Sequence, residues 1–285
     1  MPTTRSFQSE LCSLFGYPVA ENPTQVMIEA AFRDLGLDWR YLTIEVQPNH
    51  LENAVRGFRA MGFRGGNCTL PHKVAVIPFL DELTPAARDI GAVNCIMAHE
   101  NRLIGENTDG KGFLQSVQAI DTPTDKRVTL LGAGGAARAI AVELLRARVG
   151  HLTLVNRSVE RGQALAEHLN RLFPNRVTLE SWNGDYPIPA DCQWLINSTS
   201  IGLFPNVSER VPVVRDSFRP DLLVCDVIPN PPMTAFLTEA TAAGCRTLDG
   251  LGMLVNQGVI GIKCWTGRDA NPEVMRAALE RVFSE

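Results

Sequence analysis

The sequence has no C-x-x-C pair. Its seven cysteines, Cys12, Cys68, Cys95, Cys192, Cys225, Cys245 and Cys264, stand singly and are odd in number, which argues against a zinc centre and against a disulfide framework. Buried thiols in a reducing cytoplasm account for them. Positive charge is not in excess: 27 Lys and Arg against 31 Asp and Glu leave a net charge of -4. That balance gives no electrostatic reason to expect nucleic acid or an anionic membrane surface as partner. No apolar run approaches the about 20 residues of a membrane span. The opening MPTTRSFQSELCSLFGYPV lacks the apolar core of a secretory signal, so a cytoplasmic protein is expected. Internal repeats and low-complexity segments are missing too. What remains is an ordinary soluble composition, 45% hydrophobic and 20% charged over 285 residues, long enough for two domains.

The N-terminal part alternates helical patterns (VMIEAAFRDLGL, LENAVRGFRAMGF) with strand candidates (WRYLTIEV, and two short strands in GAVNCIMAHENRLIGENTDG). Such alternation predicts an α/β layer domain. Between the second helix and the hairpin lies GGNCTLPHKVAV. Its glycines relax the backbone and Pro71 biases the residue before it to extended conformations. The stretch reads as a short strand running into a helix start, with Asn67, Thr69 and Lys73 placed where a polar ligand could meet them. After the polar linker IDTPTDK the texture changes to RVTLLGAGGAARAIAVELLRARV, HLTLVNRS, CQWLINSTS and LLVCDVI. These apolar runs predict buried parallel strands. The expected organisation is residues 1–116, a substrate-binding domain; 117–245, a Rossmann-type domain with a parallel sheet; and 246–285, helices returning to the first domain.

LGAGGAAR is a form of the dinucleotide fingerprint, with a strand before it and a helix after it. Gly132 permits the tight turn, Gly134 and Gly135 let backbone amides approach a pyrophosphate, and Ala137 is small enough for helix–strand packing. The helix N-terminus offers free N–H groups to the anion. An NAD site usually presents an acidic residue after the second strand. Here that place holds Asn156, Arg157 and Ser158, with Arg161 one turn on. Two guanidiniums and no carboxylate suit a 2′-phosphate, so NADP is the expected cofactor. Ser158 also fits a helix N-cap.

In order, GNCTLPHK, GAVNCI, GENTDGKGF, GAGGAARA, NRS, NSTSIG and DGLGMLVNQG resemble the shikimate dehydrogenase family over nearly the whole chain. The resemblance implies an N-terminal α/β substrate-binding domain plus a Rossmann-type NADP-binding domain, and reversible NADP-dependent reduction of 3-dehydroshikimate to shikimate. By motif it implies Lys73 and Asp109 as the catalytic pair. It implies Asn67, Thr69, Asn94 and Gln257 as side chains that hold ring hydroxyls. It extends the cofactor positions to Gly132, Ala133, Gly134, Gly135, Ala136, Asn156, Arg157, Ser158, Arg161, Thr199, Ser200 and Gly250. No zinc-ligand cluster is present, so no metal is expected. A small-molecule substrate and a monomer or homodimer complete the expectation. From the residues alone, Lys73 reads as a solvated lysine early in a helix, Asn94 as a turn residue, Gln257 as a surface polar and Asp109 as an N-cap. His72 and Glu106 match no functional position and read as structural.

The family's Ser-x-Ser segment, which binds the substrate carboxylate, is replaced by AENPTQVM, placing Asn22 and Thr24 at the serine positions and Glu21 beside them. In DVIPNPPMT the family's tyrosine is Ile228. The hydroxyl-binding end is intact and the acid-binding end is altered, which keeps a paralogue acting on quinate, aminoshikimate or another cyclic polyol in play. A non-catalytic NADP-binding module is the further alternative, against which both Lys73 and Asp109 are retained.

Overall fold

The structure, a computed structural model, describes residues 7–284. The chain divides into two compact units, one built from Met1–Thr108 and Gly258–Glu285, the other from Asp109–Gln257.

The first unit begins β1 (Glu10–Gly16), α1 (Thr24–Asp34), β2 (Trp39–Glu45), α2 (Leu51–Ala60), β3 (Gly65–Cys68) and α3 (His72–Ala75). It continues with β4 (Glu82–Leu83), α4 (Pro85–Ile90), β5 (Cys95–His99) and β6 (Arg102–Glu106). The sheet order is β2-β1-β3-β5-β6-β4. β1 pairs in parallel with β2 and β3, whereas β5 runs antiparallel to both β3 and β6. α2 buries Leu51, Val55 and Phe58, the single stripe expected of a helix laid on a sheet. Phe58 meets Phe15 edge-on at 5.9 Å and stacks on Phe63 at 4.9 Å. α4 is fully punctuated: Thr84 accepts from the Ala87 amide, Pro85 opens the helix, and Gly91 (φ 69°) closes it left-handed.

The second unit holds α5 (Asp109–Gln118), β7 (Arg127–Leu131), α6 (Gly135–Arg146), β8 (His151–Asn156), α7 (Val159–Leu172) and β9 (Val177–Ser181). Then come β10 (Trp194–Asn197), β11 (Leu223–Asp226), α8 (Ala235–Ala242) and β12 (Arg246–Leu248). Its sheet is parallel throughout, in the order β12-β11-β10-β7-β8-β9. This is a doubly wound sheet whose order reverses between β7 and β10, the place where such folds bind ligands beyond their strand ends. β10 and β11 are buried along their whole length. The linker residue Asp121 is pinned to this unit, accepting from Trp194 Nε1 at 3.1 Å and Arg246 Nη2 at 2.8 Å.

Helix α9 (Gly250–Thr266) begins in the second unit and ends in the first, where α10 (Pro272–Phe283) also lies, packed on α1. No helix of the described residues is long and apolar enough to cross a membrane.

Candidate functional site

In the first unit, β3 ends beside β5, setting Asn67 opposite Cys95 and next to Asn94. Asn67 is 5% exposed and Asn94 2%, so both amides must be bonded internally. Asn67 Oδ1 accepts from Tyr41 Oη at 2.6 Å, and its Nδ2 donates to the Asn94 carbonyl at 3.0 Å. Asn94 Oδ1 accepts from the Thr108 amide at 2.7 Å, and its Nδ2 donates to Thr108 Oγ1 at 3.0 Å. Asn94 is therefore a locked side chain and not a simple turn residue. Thr69 anchors its backbone to Phe15 O at 2.9 Å, and its methyl fills the space a side chain would need at Gly16.

Lys73 is the second residue of α3 and half-buried. Its carbonyl accepts from the Val93 amide at 2.7 Å, which ties the lysine's backbone to the residue preceding Asn94. His72 is wholly buried and donates Nε2–H to Val46 O at 2.7 Å, which ties α3 to the residue after β2. Asn22 turns its Oδ1 onto the Thr24 amide at 3.0 Å, so half of its amide is committed to the start of α1. Thr24 is 4% exposed, while Glu21 faces solvent.

In the second unit, Gly132 follows β7 with φ 107°, a conformation side chains rarely adopt. A Cβ there would come within 3.0 Å of Thr199 Cγ2. Ser198 Oγ bonds back to Leu131 O at 2.6 Å, so the loops after β7 and β10 meet at the reversal of strand order. Asn197 Oδ1 accepts from both the amide and the hydroxyl of Thr199; Ser200 is exposed. Gly134 precedes α6 without a side-chain cap, and nothing lies within 4 Å of a Cβ built on it. The start of α6 is thus uncapped by any side chain among the described residues and open beside Gly134, a cradle that suits a pyrophosphate. Ala133 and Ala136 are partly exposed in the same loop and Ala137 is buried against the sheet.

Asn156 closes β8 and donates to Ser158 O at 2.7 Å; Ser158 caps α7 through the Arg161 amide. Arg157 and Arg161 are exposed, and neither guanidinium is ion-paired among the described residues. Two free cations beyond the second strand fit a 2′-phosphate. Gly250 starts α9 so close to the β11 loop that a Cβ would sit 2.4 Å from Ile228 O. Ile228 itself is 3% exposed. Asp109 is the first residue of α5, and Gln257 lies on α9; they are 6% and 5% exposed. Gly112 lets α5 approach α9, its missing Cβ leaving room for the Gln257 backbone at 2.8 Å. Gln257 is buried rather than a surface polar.

Three residues of these sites had no distinct signal in the sequence. Tyr41 and Thr108 reveal themselves only through their bonds to Asn67 and Asn94. Arg138 stands in the first turn of α6, half-buried, with burial holding its guanidinium below its usual range and no carboxylate paired to it among the described residues.

Residues 14–96 match the family described as Shikimate dehydrogenase substrate binding domain, residues 116–183 the Shikimate / quinate 5-dehydrogenase family, and residues 250–280 the Shikimate 5'-dehydrogenase C-terminal domain. The shikimate dehydrogenase (NADP(+)) of Moorella thermoacetica is 42% identical over 278 residues, 96% of this chain and 93% of that one. The ligand-free 5-ketofructose reductase of Gluconobacter sp. strain CHM43 superposes with a TM-score of 0.90 at 49% identity, covering 98% of this chain and 100% of that one. A shikimate dehydrogenase solved in complex with NADP+ superposes with a TM-score of 0.92 at 36% identity, covering 97% of this chain and 96% of that one. With curated relatives this similar over nearly its full length, the chain belongs to the shikimate dehydrogenase family.

Proposed function

We propose that the chain is an NADP-dependent oxidoreductase acting on a CH–OH group, interconverting shikimate and 3-dehydroshikimate. The observation that carries this reading is the buried, pre-bonded pair Asn67 and Asn94 with the Lys73 backbone tied beside it. Two amides already held by the protein bind ligand hydroxyls without first having to be ordered. Thr69 adds a hydroxyl to the same wall, and Gln257 is the further amide that the family resemblance assigns to the ring.

NADPH, when bound, supplies the hydride from its nicotinamide. The residues fit it: Gly132, Gly134 and the N-terminus of α6 would hold the pyrophosphate, and Arg157 and Arg161 would hold the 2′-phosphate. As the substrate carbonyl becomes an alcohol, its oxygen needs a proton. Lys73 Nζ would donate it and, in the reverse direction, take it back, and Asp109 is the carboxylate that the family resemblance assigns as its partner. The thiols are free and six of the seven are buried, which supports a reducing, cytoplasmic setting.

A second reading is favoured by specific observations. Asn22, Thr24 and Ile228 stand where the family places its carboxylate ligands, and Glu21 adds negative charge next to them. The 49% identity is to a 5-ketofructose reductase. A neutral polyhydroxy ketone uses the hydroxyl-binding wall and needs no carboxylate site. Steady-state assays with shikimate and NADP+, and with 5-ketofructose and NADPH, separate the two. Turnover of shikimate with a low KM supports the first reading, turnover of 5-ketofructose alone supports the second, and turnover of neither refutes both.

A further inference from the structure

Tyr41 lies on the edge strand β2, and Asn67 on β3, with β1 between them. The registers Tyr41↔Cys12 and Cys12↔Gly65 align the three positions. Asn67 is two residues beyond Gly65 and so shares their face. Because Cys12 and Gly65 are small, the phenol can lie across β1 and reach Asn67. Trp265 of α9 closes over it: the two rings are 6.0 Å apart, and the indole occupies the space a Cβ at Gly65 would need. Trp265 is itself held by an Nε1–H bond to Ile96 O at 3.1 Å.

In this setting of thiols and indole, a phenylalanine would fill the same volume, and burying a hydroxyl costs stability unless it is bonded. The Tyr41 hydroxyl is bonded to Asn67 Oδ1 at 2.6 Å. Burial, with a smaller effect from the thiols of Cys12, Cys95 and Cys68, pushes the phenol well above its ordinary range, so it stays a donor. On its other side Asn67 donates to Asn94 O. Flipping the amide would set its oxygen against that carbonyl, acceptor facing acceptor, and would leave the Tyr41 O–H without the acceptor it now has. The two partners therefore fix which end of the amide is the donor and leave one N–H uncommitted.

We propose that Tyr41 is a positioning residue of the polyol site: its hydroxyl sets the orientation of the Asn67 amide and so aims the remaining N–H at a substrate hydroxyl. Its role depends on the proposed role of Asn67 in substrate binding. The test compares wild type, Y41F, N67A and the double variant in steady-state kinetics with shikimate and NADP+ and with 5-ketofructose and NADPH, with thermal melts to establish that each variant is folded. Y41F is expected to raise the KM for the polyol about 5- to 30-fold, with kcat within about threefold of wild type and the cofactor KM unmoved. In the N67A background Y41F should add nothing further, because the amide through which it acts is gone. If N67A raises the KM while Y41F leaves it unchanged, or if Y41F acts equally in both backgrounds, Tyr41 serves packing alone and the proposal is overturned. If N67A itself has the wild-type KM for both substrates, the assignment of Asn67 fails and the role of Tyr41 falls with it.

Discussion

Asn197 and Asp226 face each other at the last rung between β10 and β11, the amide Nδ2 donating to the carboxylate Oδ1 at 3.1 Å. Asp226 also accepts from Thr234 Oγ1 at 2.8 Å and from the Ile228 amide at 3.1 Å. Burial outweighs these donors and pushes the carboxyl up to about 6, from 3.8. A carboxyl raised on folding binds its proton more tightly in the folded state, so its contribution is complete below the unfolded value and is lost as pH rises through the folded one. Stability should fall between about pH 4 and pH 6 by at most roughly 3 kcal/mol on this account. D226N removes the titration. Urea unfolding of both proteins at pH 4.5 and 7.5 should show the variant gaining on wild type at the higher pH; a constant difference would contradict the burial argument.

Lys73→Ala removes the group assigned to the proton. Loss of a positioned general acid or base typically lowers turnover about 10²- to 10⁴-fold. Lys73 belongs to the first unit, so NADPH affinity, read by fluorescence, should hold. Near-normal kcat would remove the lysine from the mechanism.

The proposed contact to the 2′-phosphate is tested at Arg157 and Arg161. Replacing both with alanine should raise the KM for NADP by about tenfold or more, since each charge-assisted bond contributes on the order of 1.5–3 kcal/mol when fully formed. Activity with NAD should hardly change. A wild type that already prefers NAD would count against the assignment.

At the altered end of the substrate wall, N22S/T24S tests the shikimate reading. N22S introduces a hydroxyl, whereas T24S keeps the one Thr24 already carries and removes its methyl. A new hydroxyl that reaches a carboxylate should tighten KM for shikimate by about tenfold or more. I228Y is best measured separately, because Ile228 is 3% exposed and a larger ring has to displace neighbours. Should the serines leave shikimate kinetics untouched while 5-ketofructose is reduced efficiently, the neutral substrate is the true one.

β7, β8, β10 and β11 of the doubly wound unit were readable because they are apolar runs, buried along most of their length, that stop at a glycine or a polar residue, as at Gly132 and Asn156. β9 escaped notice for the opposite reason. It is an edge strand with only Val177 fully buried, so it carries no apolar run. β1 was hidden by Cys12, Ser13 and Gly16, which lack the branched side chains that mark a strand. The family resemblance singled out Asn67, Asn94 and Gln257, but nothing local in the sequence announced that all three are buried. The bond that orients Asn67 comes from a residue 26 positions away, and the half-burial of Arg138 arises from tertiary packing. Neither has a local pattern to betray it.

The first unit takes its sheet from one end of the chain and the seal over that sheet, Trp265, from the other. During synthesis the uninterrupted stretch Asp109–Gln257 has all of its own residues before α10 exists. Domains fold as units, and because the first unit draws on both stretches, its sheet, with Gly65 uncovered until Trp265 arrives, is completed only once those last helices have been made.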